Sequence, residues 1–351
     1  MIPRPRSCSS AALAVLACAH FLSSASPARA EADPLKWSNP IAPYRADPHV
    51  YLHTDGYYYF TASVPEYDRV ELRRARTLGK LSGAETKVVW RRNEHGPMSK
   101  HFWAPEIHFL DGKWYIYFTA ARVESQWDLR MYVLENASAN PLEGEWVLKP
   151  RIVLPIDAAA LDATVFEHRG VRYLAWSQRP PGGKGSNIYI AKMDTPWSVT
   201  GGQVKIAEAT LPWELRQHHC QEGPAVIIRN GRVFMTYSAN STDYKYCMGL
   251  LTADAGADLL DPKSWKKSPE PIMDTNPQAG QWGPGHNCFT TTPDGKTDIL
   301  VYHARNYKYD GNDPLNTGDR ATRAQVIRWR SDGTPDFGTP VPDGRYIIPA
   351  P

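Results

Sequence analysis

Three short segments of the chain each open on a carboxylic acid and run into an apolar strand. Asp47 leads Asp-Pro-His-Val-Tyr, Asp162 leads Asp-Ala-Thr-Val-Phe, and Glu222 leads Glu-Gly-Pro-Ala-Val. Taken singly, two of these are ordinary, since Asp before Pro caps turns and Glu before Gly-Pro suits a surface loop. Asp162 is different: it interrupts an apolar run from Ala158 to Phe166, where a buried acid needs a partner. Brought together, three carboxyls can divide the work of breaking a glycosidic bond. A protonated one donates to the leaving oxygen, and an ionised one activates water or attacks the sugar. A third carboxylate nearby raises the acid's pKa. That chemistry needs a fold that carries residues 47, 162 and 222 to one place.

A repeat supplies such a fold. Five segments share one plan: a short strand, a turn carrying Gly, then an aromatic-rich strand. They begin at Asp47, Trp103, Leu161, Glu222 and Gly285, with turn glycines Gly56, Gly112, Gly170, Gly231 and Gly295. The glycines are 56, 58, 61 and 64 residues apart, a regular and slowly lengthening period. Asp-Gly and Asn-Gly at these turns are strong hairpin signals, because type I′ turns need φ > 0. Such a period accommodates a four-stranded sheet and a loop, and repeated sheets bury both faces by stacking around an axis. The expected fold class is all-β, a five-bladed β-propeller. The first strand of each blade then lines the axis, and its leading residues meet at one mouth. Nine residues before the turn glycine stand Asp47, Trp103, Glu222 and His286, and eight before stands Asp162. Three blades thus deliver an acid to one site, with Trp103 placed to pack against a sugar ring.

The 351-residue chain carries 40 Lys and Arg against 37 Asp and Glu. Arg4, Arg6 and Arg29 fall in the first thirty residues, which hold no acid. That segment reads as an export signal: a basic start, an apolar stretch from Ala11 to Leu22, and the cleavage pattern Ala28-Arg29-Ala30. The apolar stretch is too short to span a bilayer as a helix. The expected organisation is a signal peptide over 1–30 and one propeller domain over 31–351, secreted or periplasmic after cleavage, with no membrane span. Without the leader the charges balance, so a nucleic-acid partner is not expected. Cys220, Cys247 and Cys288 are too few for a disulfide framework.

The ordered motifs resemble glycoside hydrolase family 43. The carrying residues are Ala46-Asp47-Pro48, Trp103-Ala104-Pro105-Glu106, Leu161-Asp162-Ala163-Thr164 and Glu222-Gly223-Pro224-Ala225. Gly283-Pro284-Gly285-His286-Asn287 and the stretch from Arg320 to Trp329 also match. Within the family, the stretches Tyr57 to Arg69 and Tyr246 to Ala253 are similar to the exo-α-1,5-L-arabinofuranosidase group. The resemblance implies Asp47 as general base, Glu222 as general acid, and Asp162 as modulator of the acid and orienting residue. It also implies Arg320 near the substrate and the modulator. His286 matches a channel histidine that in many members helps hold a calcium ion or a water. Departures stand beside two of these positions, at His49 and in the run His218-His219-Cys220-Gln221.

The implied activity is inverting release of terminal α-L-arabinofuranosyl units from arabinan or arabino-oligosaccharides, the partner being an arabinose-containing plant polysaccharide. No cofactor is required by that chemistry, and a structural calcium ion in the channel is the one metal suggested. Endo-arabinanase, β-xylosidase and a non-catalytic carbohydrate-binding propeller are the alternatives. Glu106 reads as a structural acid bonding to backbone or to a neighbouring blade.

Overall fold

The computed structural model describes residues 1–3 and 36–347. Nearly all of the expected export signal, residues 4–30, lies outside the described residues. Among the described residues no helix is long and apolar enough to cross a membrane.

The expected five blades are present. Blades 1 to 4 are four-stranded antiparallel sheets whose first strands are Ala46–Leu52, Lys100–Leu110, Ala160–His168 and Gln221–Arg229. Blade 5 is a three-stranded sheet of Trp282–Thr291, Asp298–Arg305 and Ala321–Val326. The first strands contact one another all the way round, blade 5 to blade 1 included, so they are the inner strands of a closed ring. Large side chains fill each seam. Tyr59 and Trp114 pack between blades 1 and 2, Tyr117 and Trp176 between 2 and 3, and Tyr173 and Tyr237 between 3 and 4. Phe234 and Tyr302 pack between blades 4 and 5, and Phe60 and Val301 between 5 and 1.

The start of the propeller closes it on its end. Ile41 N–H donates to Thr322 O at 2.8 Å, and Thr322 N–H donates to Ala42 O at 2.9 Å. Trp37 Nε1 and Asn39 Nδ2 both donate to Ala324 O, at 3.0 and 2.9 Å. The outer edge of blade 5 would otherwise offer an unpaired strand to other chains.

Every inner strand carries a bulge at the same place. Between Ala46 and His49 three residues stand against the two from Ser63 to Thr61 on the second strand. The same three-against-two step recurs from Trp103 to Glu106, Leu161 to Thr164, Glu222 to Ala225 and Gly285 to Cys288. The residue after the first paired position takes a left-handed backbone in each blade: Asp47, Ala104, Asp162, Gly223 and His286. Asp, Gly and His tolerate that conformation better than most residues, which accounts for four of the five.

This register corrects the sequence alignment of the blades. Ala104 and Gly223, rather than Trp103 and Glu222, are the structural equivalents of Asp47, Asp162 and His286. The cause lies in the turns. Asp111-Gly112, Arg169-Gly170 and Asn230-Gly231 have both φ values positive, as two-residue I′ turns do. The turns at Gly56 and Gly295 have only the glycine in that region and are longer, joining Leu52 to Tyr58 and Thr291 to Asp298. Counting back from the glycine therefore misplaces two blades by one residue.

The bulge turns a backbone N–H toward the preceding blade, and a side chain there accepts it. Ser63 Oγ accepts from Ala104 N–H (2.8 Å), Thr119 Oγ1 from Asp162 N–H (3.1 Å) and Ser238 Oγ from His286 N–H (2.7 Å). His303 Nδ1 accepts from Asp47 N–H at 3.0 Å. These acceptors are themselves equivalent, each being the partner of its own blade's last residue before the bulge. Removing one leaves a buried donor unsatisfied, at a cost of about 1–3 kcal/mol. Ser63→Ala and Thr119→Val should each lower the unfolding free energy by that order, read as a drop in the urea midpoint. Hydrolytic activity should fall only in Thr119→Val, whose orphaned N–H belongs to Asp162.

Candidate active site

Over the leading ends of the inner strands lies a cavity of about 510 Å³. Asp47, Trp103, Asp162, Glu222, His286 and Arg320 all line it, so the six residues singled out by spacing and resemblance are brought together. Segment 312–315 of blade 5 forms part of the rim, tied down by Tyr67 Oη to Leu315 O at 2.7 Å and Arg305 Nη2 to Pro314 O at 2.7 Å.

Asp47 is held by cations. Arg320 Nη1 donates to its Oδ1 at 2.9 Å, while Arg320 Nη2 donates to Tyr67 Oη at 2.9 Å. His286 Nδ1 is 3.4 Å from the same Oδ1. Burial alone would raise this carboxyl's pKa, but Arg320 and His286 hold it well below the usual range. Arg320 thus engages Asp47, the expected base, and lines the same cavity as Asp162, the expected modulator. His303 is driven to about 3 by burial and by Arg320, so its ring is neutral. Its Nδ1 accepts the Asp47 N–H, and its Nε2 lies 3.5 Å from Arg320 Nη1.

Asp162 is treated in the opposite way. Burial, with Glu222 and Asp47 nearby, pushes it up to about 7 against the pull of His286. Its Oδ2 accepts the Gly223 N–H at 3.0 Å, which fixes the carboxyl beneath the cavity. At Gly223 a Cβ would meet the His286 ring at 3.0 Å, and φ is +56, so only glycine brings the backbone this close. His286 lies between the two acids, with Nδ1 4.0 Å from Asp162 Oδ2. Burial alone would lower its pKa; Asp47 and Asp162 raise it instead.

Glu222 is half-buried and takes a side-chain donor on each oxygen. Tyr246 Oη donates to Oε1 at 2.7 Å and Cys220 Sγ to Oε2 at 3.1 Å. The Tyr246 ring lies parallel to that of His303, 5.6 Å between centroids with 4° between planes. At Gly285 a Cβ would meet the Tyr246 ring at 2.3 Å, so the absent side chain makes room for it. Tyr246, Cys220, His303 and Tyr67 were not singled out by spacing. His303 had a signal, because it follows the same strand position as Ser63, Thr119 and Ser238. Tyr246 and Tyr67 come from connecting segments, and their one signal was to fall within the two stretches similar to the arabinofuranosidase group.

The donors around His286 do not fit calcium, which typically takes about 6–8 oxygens. Asp47 Oδ1 is bonded to Arg320, Asp162 Oδ2 takes a backbone N–H, and the imidazole is drawn toward its cationic form. Among the described residues the one group with metal-ligand spacing is His49, Glu106 and His108. There, His49 Nδ1 accepts from Ile107 N–H at 3.3 Å, which places the ring proton on Nε2, 3.7 Å from Glu106 Oε2. His108 Nε2 lies 2.9 Å from the same oxygen. Glu106 is thus a buried carboxylate flanked by His108 of its own blade and His49 of the neighbouring one, in keeping with a structural role. Cys220, Cys247 and Cys288 are free thiols.

Arg320→Gln removes the nearest cation from Asp47. The carboxyl carbon of Asp47, followed by ¹³C NMR, should then titrate at higher pH. An unmoved titration would show that His286 suffices without the guanidinium.

Comparison with known proteins identifies the family. The family model for glycosyl hydrolases family 43 matches residues 37–335. The extracellular exo-α-(1→5)-L-arabinofuranosidase of Streptomyces avermitilis is 52% identical over 335 residues, covering 94% of this chain and 70% of that one. The enzyme of the same name from Streptomyces chartreusis is 49% identical over 288 residues, covering 82% of this chain and 88% of its own. The crystal structure of an α-L-arabinofuranosidase from Lactobacillus brevis superposes with a TM-score of 0.84 at 47% identity, covering 88% of this chain and 98% of that one. Five bladed repeats, three acids at one mouth and a match over most of the chain have one reading: the protein belongs to glycosyl hydrolases family 43.

Proposed function

We propose that the protein is a secreted exo-α-L-arabinofuranosidase, inverting in mechanism, with Asp47 as general base and Glu222 as general acid. The observation that carries this reading is Asp47 held ionised by Arg320 and His286, facing the same cavity as Glu222 on a non-adjacent blade. Because Oδ1 of Asp47 is committed to its cations, Oδ2 is the oxygen left to take a proton from water. Water attacks the anomeric carbon as Glu222 protonates the leaving oxygen. Inverting pairs leave space for that water, at about 6.5–9.5 Å between carboxyls, against about 5–5.5 Å for a retaining pair.

Asp162 and His286 sit between base and acid and serve as the modulating and orienting pair. With its carboxyl raised to about 7, Asp162 can meet a sugar hydroxyl as donor or acceptor near neutral pH. Trp103 lines the cavity and supplies an apolar face for a sugar ring. The arabinofuranosyl and exo assignments are supported by the names of the relatives at about half identity. Two of those names include the word extracellular, which supports export through the leader over 1–30 and a catalytic propeller over 31–351. Arabinan and arabino-oligosaccharides are the corresponding substrates.

Glu222→Gln and Asp47→Asn should each lower kcat on α-1,5-arabino-oligosaccharides by about 10²–10⁴, the usual worth of a general acid or base. Glu222→Gln should retain far more activity on an aryl arabinofuranoside whose leaving group needs no proton. NMR should show the inverted anomer as first product, and arabinose should be the only early product. A retained anomer would sink the mechanism, and early release of longer oligomers would sink exo action.

A further inference from the structure

Cys220 is a half-buried thiol on the cavity wall for which the mechanism above has no use. Its Sγ is 3.1 Å from Oε2 of Glu222, the oxygen that Tyr246 does not hold. On its other side Ser186 Oγ lies 3.0 Å away. Ser186 Oγ also donates to Gln221 O at 3.0 Å. Cys220, Ser186 and Glu222 all line the cavity.

The proton count of this cluster allows two arrangements. With Glu222 ionised, the S–H donates to Oε2 and the Ser186 hydroxyl to Gln221 O. With Glu222 protonated on Oε2, the S–H can turn to Ser186 Oγ, whose own proton stays on Gln221 O. Neither arrangement strands a buried donor. Tyr246 differs, since its hydroxyl is a strong donor and keeps Oε1 an acceptor throughout. The acid's proton therefore belongs on Oε2, beside the weaker donor.

We propose that Cys220 is a positioning residue that, with Ser186, selects Oε2 of Glu222 as the oxygen that carries and delivers the proton. This rests on the assignment of Glu222 as general acid. A thiol suits the task because it is a weak donor. It satisfies the carboxylate between turnovers without holding it ionised as a hydroxyl would. Burial and the nearby Glu222 charge push the thiol's own pKa well up, so it remains S–H while the acid cycles.

The test is the pH dependence of kcat/KM on an arabino-oligosaccharide for wild type, Cys220→Ser and Cys220→Ala, with thermal melts to establish folding. The alkaline limb reports the acid. It should move to lower pH in C220S, where a stronger donor favours the carboxylate. In C220A, where the donor is gone, it should move to higher pH. The acid limb should stay in place in both. A purely structural cysteine would lower activity without separating the two limbs in opposite directions. Coincident limbs, or shifts of the same sign, would overturn the proposal. If C220A fails to fold, C220S alone decides by the sign of its shift. Glu222→Gln run in parallel separates the two assignments. Unimpaired turnover there would remove Glu222 as acid, whereas lost turnover with unmoved C220 limbs would remove only the role of the thiol.

Discussion

Each inner strand holds one residue more than its partner, and the backbone N–H freed by that extra residue has to be paired inside the protein. The preceding blade supplies the acceptor through a hydroxyl at one fixed strand position, or through the His303 ring where blade 5 meets blade 1. Blade 4 is the exception, because the Gly223 N–H goes to the carboxylate of Asp162. There Ser177 turns instead to the carbonyl of Gln221, at 2.6 Å. The joints between blades and the parts of the site are thus made from the same groups. The bulge that requires them also sets the left-handed backbone that aims Asp47, Asp162 and His286 at the mouth.

Electrostatic balance follows from this placement. Arg320 and His286 answer the charge on Asp47, while Asp162 has only a backbone N–H and a share of His286. The two aspartates stand at equivalent positions of their blades and yet hold their protons very differently. What separates them is the neighbour: blade 5 brings an arginine to Asp47, and blade 4 brings Glu222 to Asp162. One backbone geometry, repeated, has been given two protonation states by its surroundings.

Much of this was legible from residue types. The glycine-marked hairpins carried the blade number, and acids at the heads of inner strands carried the site. The one-residue misalignment at Trp103 and Glu222 arose because turn length varies between blades, and a count from the turn cannot see a bulge. A better rule was available in the second strands, where Ser63, Thr119, Ser177, Ser238 and His303 recur at one position. The partners of Glu222 were harder to read. Tyr246 arrives from a connection whose course depends on the space left by Gly285, and the contact of Cys220 exists only once Ser186 of blade 3 is folded against it. Likewise the family arginine was visible, but its bond to Asp47 spans 273 residues of sequence and is a fact of ring closure.

The parallel rings of Tyr246 and His303 join the support of Glu222 to that of Asp47. Two flat, buried aromatic plates behave as a spacer of fixed thickness, with no torsion between them free to lengthen or shorten it. The loops at the rim can then be rebuilt for one sugar chain or another while the gap between Glu222 and Asp47 keeps its gauge. In such a molecule specificity is free to drift over evolutionary time, and stereochemistry is not.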